Sequence, residues 1–140
     1  MDSENQVITI NTHQFGEISI DVANIFHFPN GLLGFEDLKQ FILINDEQTE
    51  PFKWLICVDE PSIGFPILSP FYVDFDYNIG KEIDLEINVL FVVVTLQDEN
   101  KNISANLKAP IILNLQMMTG EQLLIPFEKY STSHIISNSE

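Results

Sequence analysis

The sequence predicts an all-β, mainly antiparallel fold: a small barrel or sandwich with at most one or two short helical turns. Three observations predict it. Short apolar runs follow one another closely, about eight to ten in all, and many alternate with period two. Turn-forming clusters separate them. No stretch holds a 3.6-residue apolar period long enough for a substantial helix. The 140 residues suffice for one domain, and a 45% hydrophobic content with 11 Phe supplies a core. Residues 1–140 are therefore expected to form a single domain, with 1–6 and 131–140 as flexible ends.

The elements can be justified in order. Val7 to Ile10 and Gly16 to Ile20 flank a polar turn at Asn11 to Gln14. In the second run Ile18 and Ile20 point one way, Glu17 and Ser19 the other. Ile25 to Phe28 is a short strand stopped by Pro29, with His27 facing away from Phe26 and Phe28. Asn30-Gly31 is a turn signal, because both residues tolerate positive φ. Phe35 to Leu38 suits a helical turn. Phe41 to Ile44 is apolar throughout and flanked by acid, which fits a buried strand. Leu55 to Val58 and Phe65 to Leu68 are strands ending at Asp59-Glu60-Pro61-Ser62 and Ser69-Pro70. Asp74-Phe75-Asp76-Tyr77 alternates acid with aromatic, so its acids should face water and its rings the core. Lys81 to Val89 fits either a strand or a short helix. Leu90 to Thr95 is rich in β-branched residues, and its continuous apolarity calls for cover on both faces. Gln97 to Asn102 is a charged hairpin tip. Ser104 to Leu107 and Ile111 to Leu115 are strands around Pro110, which needs an edge or a bulge. Thr119-Gly120 should turn the chain into Gln122 to Ile125. From Ser131 onward the chain is polar and expected to fray.

Charge bounds the function. There are 21 Asp+Glu against 6 Lys and no Arg, a net charge of −15. The acid is spread along the chain, so it decorates the surface of the fold. Such a surface repels phosphate backbones and attracts basic proteins, which argues against direct nucleic-acid binding. The same repulsion favours a monomer at low salt. The polar, acidic start is unlike a signal peptide, and no run approaches the ~20 apolar residues of a membrane span. The chain reads as cytoplasmic. Cys57 lies in the apolar run Trp54 to Val58 and reads as a small buried hydrophobe.

The search for catalytic chemistry finds no phosphate loop, no nucleophile elbow and no cofactor motif. His13, His27 and His134 are far apart and there is one Cys, so metal-ligand spacing is absent. No regular Asp-x-Asp-x-Asp-Gly calcium loop occurs. The acid pairs Asp46-Glu47, Asp59-Glu60, Asp74 with Asp76, and Asp98-Glu99 are the strongest polar feature. They read as a solvating surface or as a docking face for a Lys/Arg-rich partner. Leu32, Leu33 and Phe35 follow a tight turn and form either a plug on the barrel end or a hydrophobic contact. Exposed strand edges offer a third mode, the addition of a partner strand.

Several stretches resemble one known family. Phe28-Pro29-Asn30-Gly31-Leu32-Leu33-Gly34-Phe35 is similar to the Phe-Pro-x-Gly-Leu-x-Gly-Phe signature of the FliW family of flagellar assembly factors. Asn106-Leu107-Lys108-Ala109-Pro110-Ile111-Ile112-Leu113-Asn114 resembles its Asn-Leu-x-Ala-Pro-Ile-x-x-Asn signature. Phe52 to Asp59, Pro61, Pro70-Phe71, Gly120-x-Gln122 and Tyr130 follow the same pattern, so the resemblance spans about Phe15 to Tyr130. Met117 to Glu121 and Ser131 to His134 depart from it, since family members often carry basic residues there.

The resemblance implies a small β-barrel without enzymatic activity or cofactor. It implies two partners, flagellin and the RNA-binding translational repressor CsrA, and a coupling of flagellin level to translation by partner exchange. The residues expected to meet a basic partner are Asp59, Glu60, Asp74, Asp76, Asp98 and Glu99, with Leu32, Leu33 and Phe35 as a hydrophobic contact. Asn106, Asn114 and Pro110 are expected to hold the barrel together. A flagellin-binding chaperone without a translational role is the alternative. A small hydrolase or sugar-binding barrel is a third, which requires two acids converging in a concave, partly apolar pocket.

Overall fold

The computed structural model describes residues 6–97 and 102–138. Eleven strands are formed there: β1 (Val7–Thr12), β2 (Gly16–Asp21), β3 (Phe26–His27), β4 (Gln40–Asn45), β5 (Lys53–Cys57), β6 (Gly64–Leu68), β7 (Asn88–Thr95), β8 (Asn102–Ala105), β9 (Ile111–Asn114), β10 (Thr119–Gln122) and β11 (His134–Asn138). Seven of them close a barrel in the order β7-β6-β5-β4-β3-β10-β9, and β9 returns to β7. Closure leaves those strands free edges only where a neighbour is shorter, as on β4 beyond Phe41, where the two-residue β3 has ended. All neighbours are antiparallel except β3 and β10, which meet in parallel at His27 and Thr119. The long β7 splits its pairing. Its first half, Asn88 to Phe91, pairs with β9, and its end, Val94-Thr95, pairs with β8. β11 extends β8 outward.

The burial pattern explains why β4, β5 and β7 read as continuous apolar runs. Their inward residues, Phe41, Leu55, Cys57 and Phe91, join Phe26, Phe28, Ile67, Ile111 and Leu113 in the barrel interior. Their outward residues are covered too. The β1–β2 hairpin lies over Ile42, Trp54 and Ile56 with Ile10 and Ile20. On β7 the outward Leu90, Val92 and Val94 are covered by Tyr77, Ile79, Leu107, Ile125 and Tyr130. The barrel therefore has one inner core and two outer ones. Pro66 sits inside β6 opposite Trp54, and the β6–β7 pairing begins only at Ile67, so its missing N–H breaks no ladder there. Cys57 is buried, and desolvation pushes its thiol pKa up, as an inert core residue requires.

The structure corrects several expectations. Asp74 to Tyr77 is not a strand. It continues from a 3-10 helix at Pro70–Tyr72, with Asp74 N–H on the Pro70 carbonyl (2.9 Å) and Tyr77 N–H on the Asp74 carbonyl (3.0 Å). A turn with that period puts residues 74 and 77 on one side. Tyr77 is buried, and Phe75, expected to pack inward, is 87% exposed. Of Lys81 to Val89, residues 81–87 are neither strand nor helix but an irregular segment closing in a turn at 84–87, and Asn88 and Val89 are the first residues of β7. Thr119-Gly120 is not a turn but the start of β10. The reversal falls at residues 115–118, where Met118 takes φ 56°, and residues 123–125 follow the strand without joining a ladder. The polar stretch from Ser131, expected to fray, contains β11. Among the described residues there are three single-turn 3-10 helices, at Val22–Asn24, Glu47–Thr49 and Pro70–Tyr72.

Candidate functional site

The strand directions gather several expected residues at one end of the barrel. β4 and β6 begin there, β5 and β10 end there, and the 28–39 loop crosses it. Phe28 and Leu32 turn inward. Phe28 is completely buried and meets Phe41 edge-on at 5.0 Å. Leu32, expected as a contact residue, is only 3% exposed and belongs to the inner core, so in this conformation it is not available to a partner. Leu33 and Phe35 turn outward, 50% and 39% exposed. The loop thus both plugs the barrel and presents apolar surface. The tight turn between them is closed by Leu32 and Phe35, each of whose N–H groups donates to the other's carbonyl (3.3 and 2.8 Å). Gly34, at φ 87°, occupies the turn position that demands positive φ. Phe35 also leans on Phe65, with ring centroids 5.3 Å apart.

Gln122 fastens this end. Its Oε1 accepts from the Leu33 N–H (2.8 Å) and its Nε2 donates to the Ala109 carbonyl (3.0 Å). One side chain thereby joins the loop at 28–35, the turn at 106–110 and β10. Beneath it Gly120 lies against the Phe28 ring. A Cβ there would sit 2.7 Å from Cε2 and closer still to Cζ and Cε1.

Asp59 is also a fastener. Its Oδ2 accepts from the Lys39 and Gln40 N–H groups (2.9 and 3.2 Å), fixing where the loop re-enters β4. Glu60 is exposed on the same turn, where its carbonyl accepts from Ile63 N–H (2.9 Å). This end therefore carries Asp59, Glu60, Leu33 and Phe35 together.

Asp74 and Asp76 lie apart from that group, on the β6–β7 connection. Asp74 is half-buried, and its Oδ1 accepts from Asp76 N–H (2.9 Å). Between them projects Phe75. Tyr72 is 69% exposed, and Phe71 and Leu85 are exposed nearby. Phe71, Ile83 and Leu85 line a cavity of about 280 Å³ floored by Tyr77 and Leu90 and bordered by Lys81 and Glu82. The signal for this surface was present in the sequence as Phe71-Tyr72 and Phe75. The alternation of acid with aromatic points both rings inward, whereas Phe75 stands in water. Asp98 and Glu99 lie outside the described residues. Asn106 and Asn114 do brace turns: Asn106 Oδ1 accepts from Lys108 N–H, and Asn114 Oδ1 from Gln116 and Met117 N–H. Pro110 is fully buried.

A cavity of about 530 Å³ lies elsewhere, between β2 and β4, and its lining includes Asp21 and Asp46. Each of these acids caps its own 3-10 helix, through Ala23 N–H and Gln48 N–H. No histidine lines the cavity. Among the described residues no group of His, Cys, Asp and Glu is placed to hold a metal ion, and no helix is long and apolar enough to cross a membrane.

The family model described as "FliW protein" matches residues 9–136. The chain belongs to the FliW family. Among the curated FliW relatives, a flagellar assembly factor of Caldanaerobacter subterraneus subsp. tengcongensis is 35% identical over 137 residues, covering 91% of each chain. One of Clostridium beijerinckii is 38% identical over 124 residues, covering 82% of this chain and 88% of the relative. A crystal structure of the flagellar assembly factor FliW superposes with a TM-score of 0.85 at 30% identity, over 95% of this chain and 99% of that one. The seven-stranded barrel with its added strands is thus the FliW fold. The three FliW signature pieces, distant in sequence, are the ones Gln122 and Phe28 bring together.

Proposed function

We propose that this FliW protein is a non-catalytic, cytoplasmic flagellar assembly factor that holds flagellin and, in exchange, a CsrA-type translational repressor. The observation that carries the reading is the surface around Phe75. Phe71, Tyr72, Phe75 and Leu85 are exposed on a segment that also carries Asp74, Asp76, Glu82, Asp84 and Glu86, with Lys81 on the same segment and Lys53 beside Tyr72. Contiguous exposed aromatics on a folded protein mark contact surfaces. Acids around them admit basic partners and turn away polynucleotide. An RNA-binding repressor carries basic surface to hold phosphate. This protein would therefore dock on it and raise the cost of RNA binding there, without itself touching RNA. Accumulated flagellin would release the repressor by occupying the factor.

Size-exclusion with light scattering tests this on mixtures with flagellin, with the repressor, and with both. The expected result is two separate binary complexes and displacement of one partner by the other. A complex with flagellin alone establishes the chaperone-only alternative. Tight binding to RNA by the free protein refutes the electrostatic argument.

A further inference from the structure

We propose that the groove between β2 and β4 binds an extended peptide segment of a partner protein by strand addition, and that this segment alternates apolar and basic residues. The proposal goes beyond the flagellar reading and needs neither of its partners. It starts from hydrogen-bond parity. β2 pairs only with β1. The Val22 N–H donates to the Gln6 carbonyl (3.0 Å), so Ile20 and Ile18 are the β2 residues bonded to β1. The main-chain groups of Glu17, Ser19 and Asp21 then point the other way, with no ladder partner among the described residues, and Ser19 and Asp21 line the groove. Across the groove β4 repeats the situation. β3 pairs only with Gln40 and Phe41, so Leu43 and Asn45 carry main-chain groups beyond its reach. A row of unpaired N–H and C=O groups beside a cavity of about 530 Å³ is a template for one more strand.

The side chains select the guest. Along β2, Ile18 and Ile20 face the barrel, Glu17 and Ser19 are exposed, and Asp21 is half-buried at the groove. A strand laid on this edge would place alternate residues inward beside Ile18, Ile20, Ile42 and Ile44. The residues between would stand beside Glu17 and Asp21. Apolar side chains suit the first set, and Lys or Arg the second, since opposite charges on neighbouring strands attract and like charges repel. No basic residue lines the groove. The same carboxylates disfavour a second copy of this chain, which would bring acid to acid. The edge is thus closed to self-pairing and open to a cationic strand.

The test uses an end-blocked peptide of about eight residues alternating Val and Lys, titrated into the protein and followed by amide-proton NMR. The expected shifts centre on Ser19, Asp21, Leu43 and Asn45, whose amides should also gain hydrogen-exchange protection. Ser19→Pro removes one groove-facing N–H and no β1–β2 main-chain bond; it also removes the Thr9–Ser19 hydroxyl contact (3.4 Å), which Thr9→Pro removes equally. It should weaken binding roughly tenfold or more. Thr9→Pro removes the equivalent outward N–H on the opposite edge of the hairpin and should bind as the native protein does. Glu17→Lys, a fully exposed change, should lower affinity for the Val-Lys peptide and raise it for a Val-Glu one. The proposal is overturned if no shifts occur at millimolar peptide, if they centre on Phe71–Leu85, or if Ser19→Pro and Thr9→Pro bind alike. Dimerisation of the protein through β2 would overturn it as well.

Discussion

Gly120 sets up a contest between two effects of opposite sign. Its φ is not in the left-handed region, so alanine fits the backbone. Reduced freedom of the unfolded chain would then stabilise Gly120→Ala by about 0.4–1 kcal/mol. Against this, the new Cβ would overlap three ring atoms of Phe28. A ring tip can sometimes swing aside, but Phe28 is fully buried and held against Phe41. Overpacking of a closed core costs about 1–3 kcal/mol, so the net effect should be destabilisation of about 1–2 kcal/mol, a fall in Tm of roughly 3–10 °C at this size. Phe28→Leu alone should also destabilise, through lost packing. In the double variant the smaller side chain vacates the space the alanine needs. The two losses should fall short of additivity by at least about 1 kcal/mol. Urea unfolding followed through Trp54 fluorescence gives all four stabilities. A Gly120→Ala protein as stable as the native one, or strict additivity in the double variant, would refute the steric account of why glycine stands here.

Three further outcomes follow from the geometry. Gln122→Ala removes both bonds of the fastener and should cost about 1–3 kcal/mol, with hydrogen exchange at Leu33 rising more than at β5 amides. Phe75→Ser and Tyr72→Ser change exposed side chains, so unfolding midpoints should move by less than about 0.5 kcal/mol, while calorimetric titration shows affinity for flagellin or the repressor reduced tenfold or more. Tyr77 donates to the Leu107 carbonyl (2.6 Å), and burial, with the Tyr130 charge second, raises its pKa above the ordinary 10.0. The unfolded chain therefore loses that proton first. Stability should be level with respect to this group below pH 10 and fall as pH rises beyond it, and Tyr77→Phe should flatten that part of the urea-midpoint profile.

Much of the strand content was legible because burial writes directly into sequence. β4, β5 and β7 are covered on both faces, and their runs are apolar throughout; β2 is covered on one face and alternates. What was lost lies where local signals have more than one solution. Asp74 to Tyr77 has a strand's alternation, yet Pro70 and the Asp74 side chain start a turn of different period, and Phe75 ends in water. Thr119-Gly120 looks like a turn, yet this glycine serves close approach to Phe28, a contact 92 positions away in the chain that no local rule reports. β11 mixes polar and apolar residues because it is an outer strand that pairs, among the described residues, only with β8, and of its side chains Ile136 packs on the outer core that Ala105 and Ile103 help form. The candidate surfaces divide the same way. Leu32 and Leu33 are adjacent and chemically equal in sequence, and only the turn at Gly34 decides that one plugs the barrel while the other meets solvent.

The distribution of acid also separates two roles that a charge count merges. Asp21, Asp46, Asp59 and Asp74 each hold backbone N–H groups at a cap or turn. They are tied to the fold, and reversing them would damage it before it altered recognition. Glu17, Glu60, Asp76 and Glu82 are exposed and carry no such bond, so they are free to act at a distance. Exposed charges of this kind govern how often partners meet and how strongly salt interferes, whereas buried apolar contact governs how long they stay together. On this protein the two are arranged side by side. Asp76 follows Phe75 in the chain, Glu82 lines a cavity with Phe71 and Leu85, and Glu60 lies at the barrel end that carries Leu33 and Phe35. A cationic partner drawn to either place arrives next to apolar surface able to retain it. Under the proposed function this arrangement suits partner exchange: salt-sensitive arrival would keep association fast, and a small apolar contact would keep release fast enough for one partner to replace another.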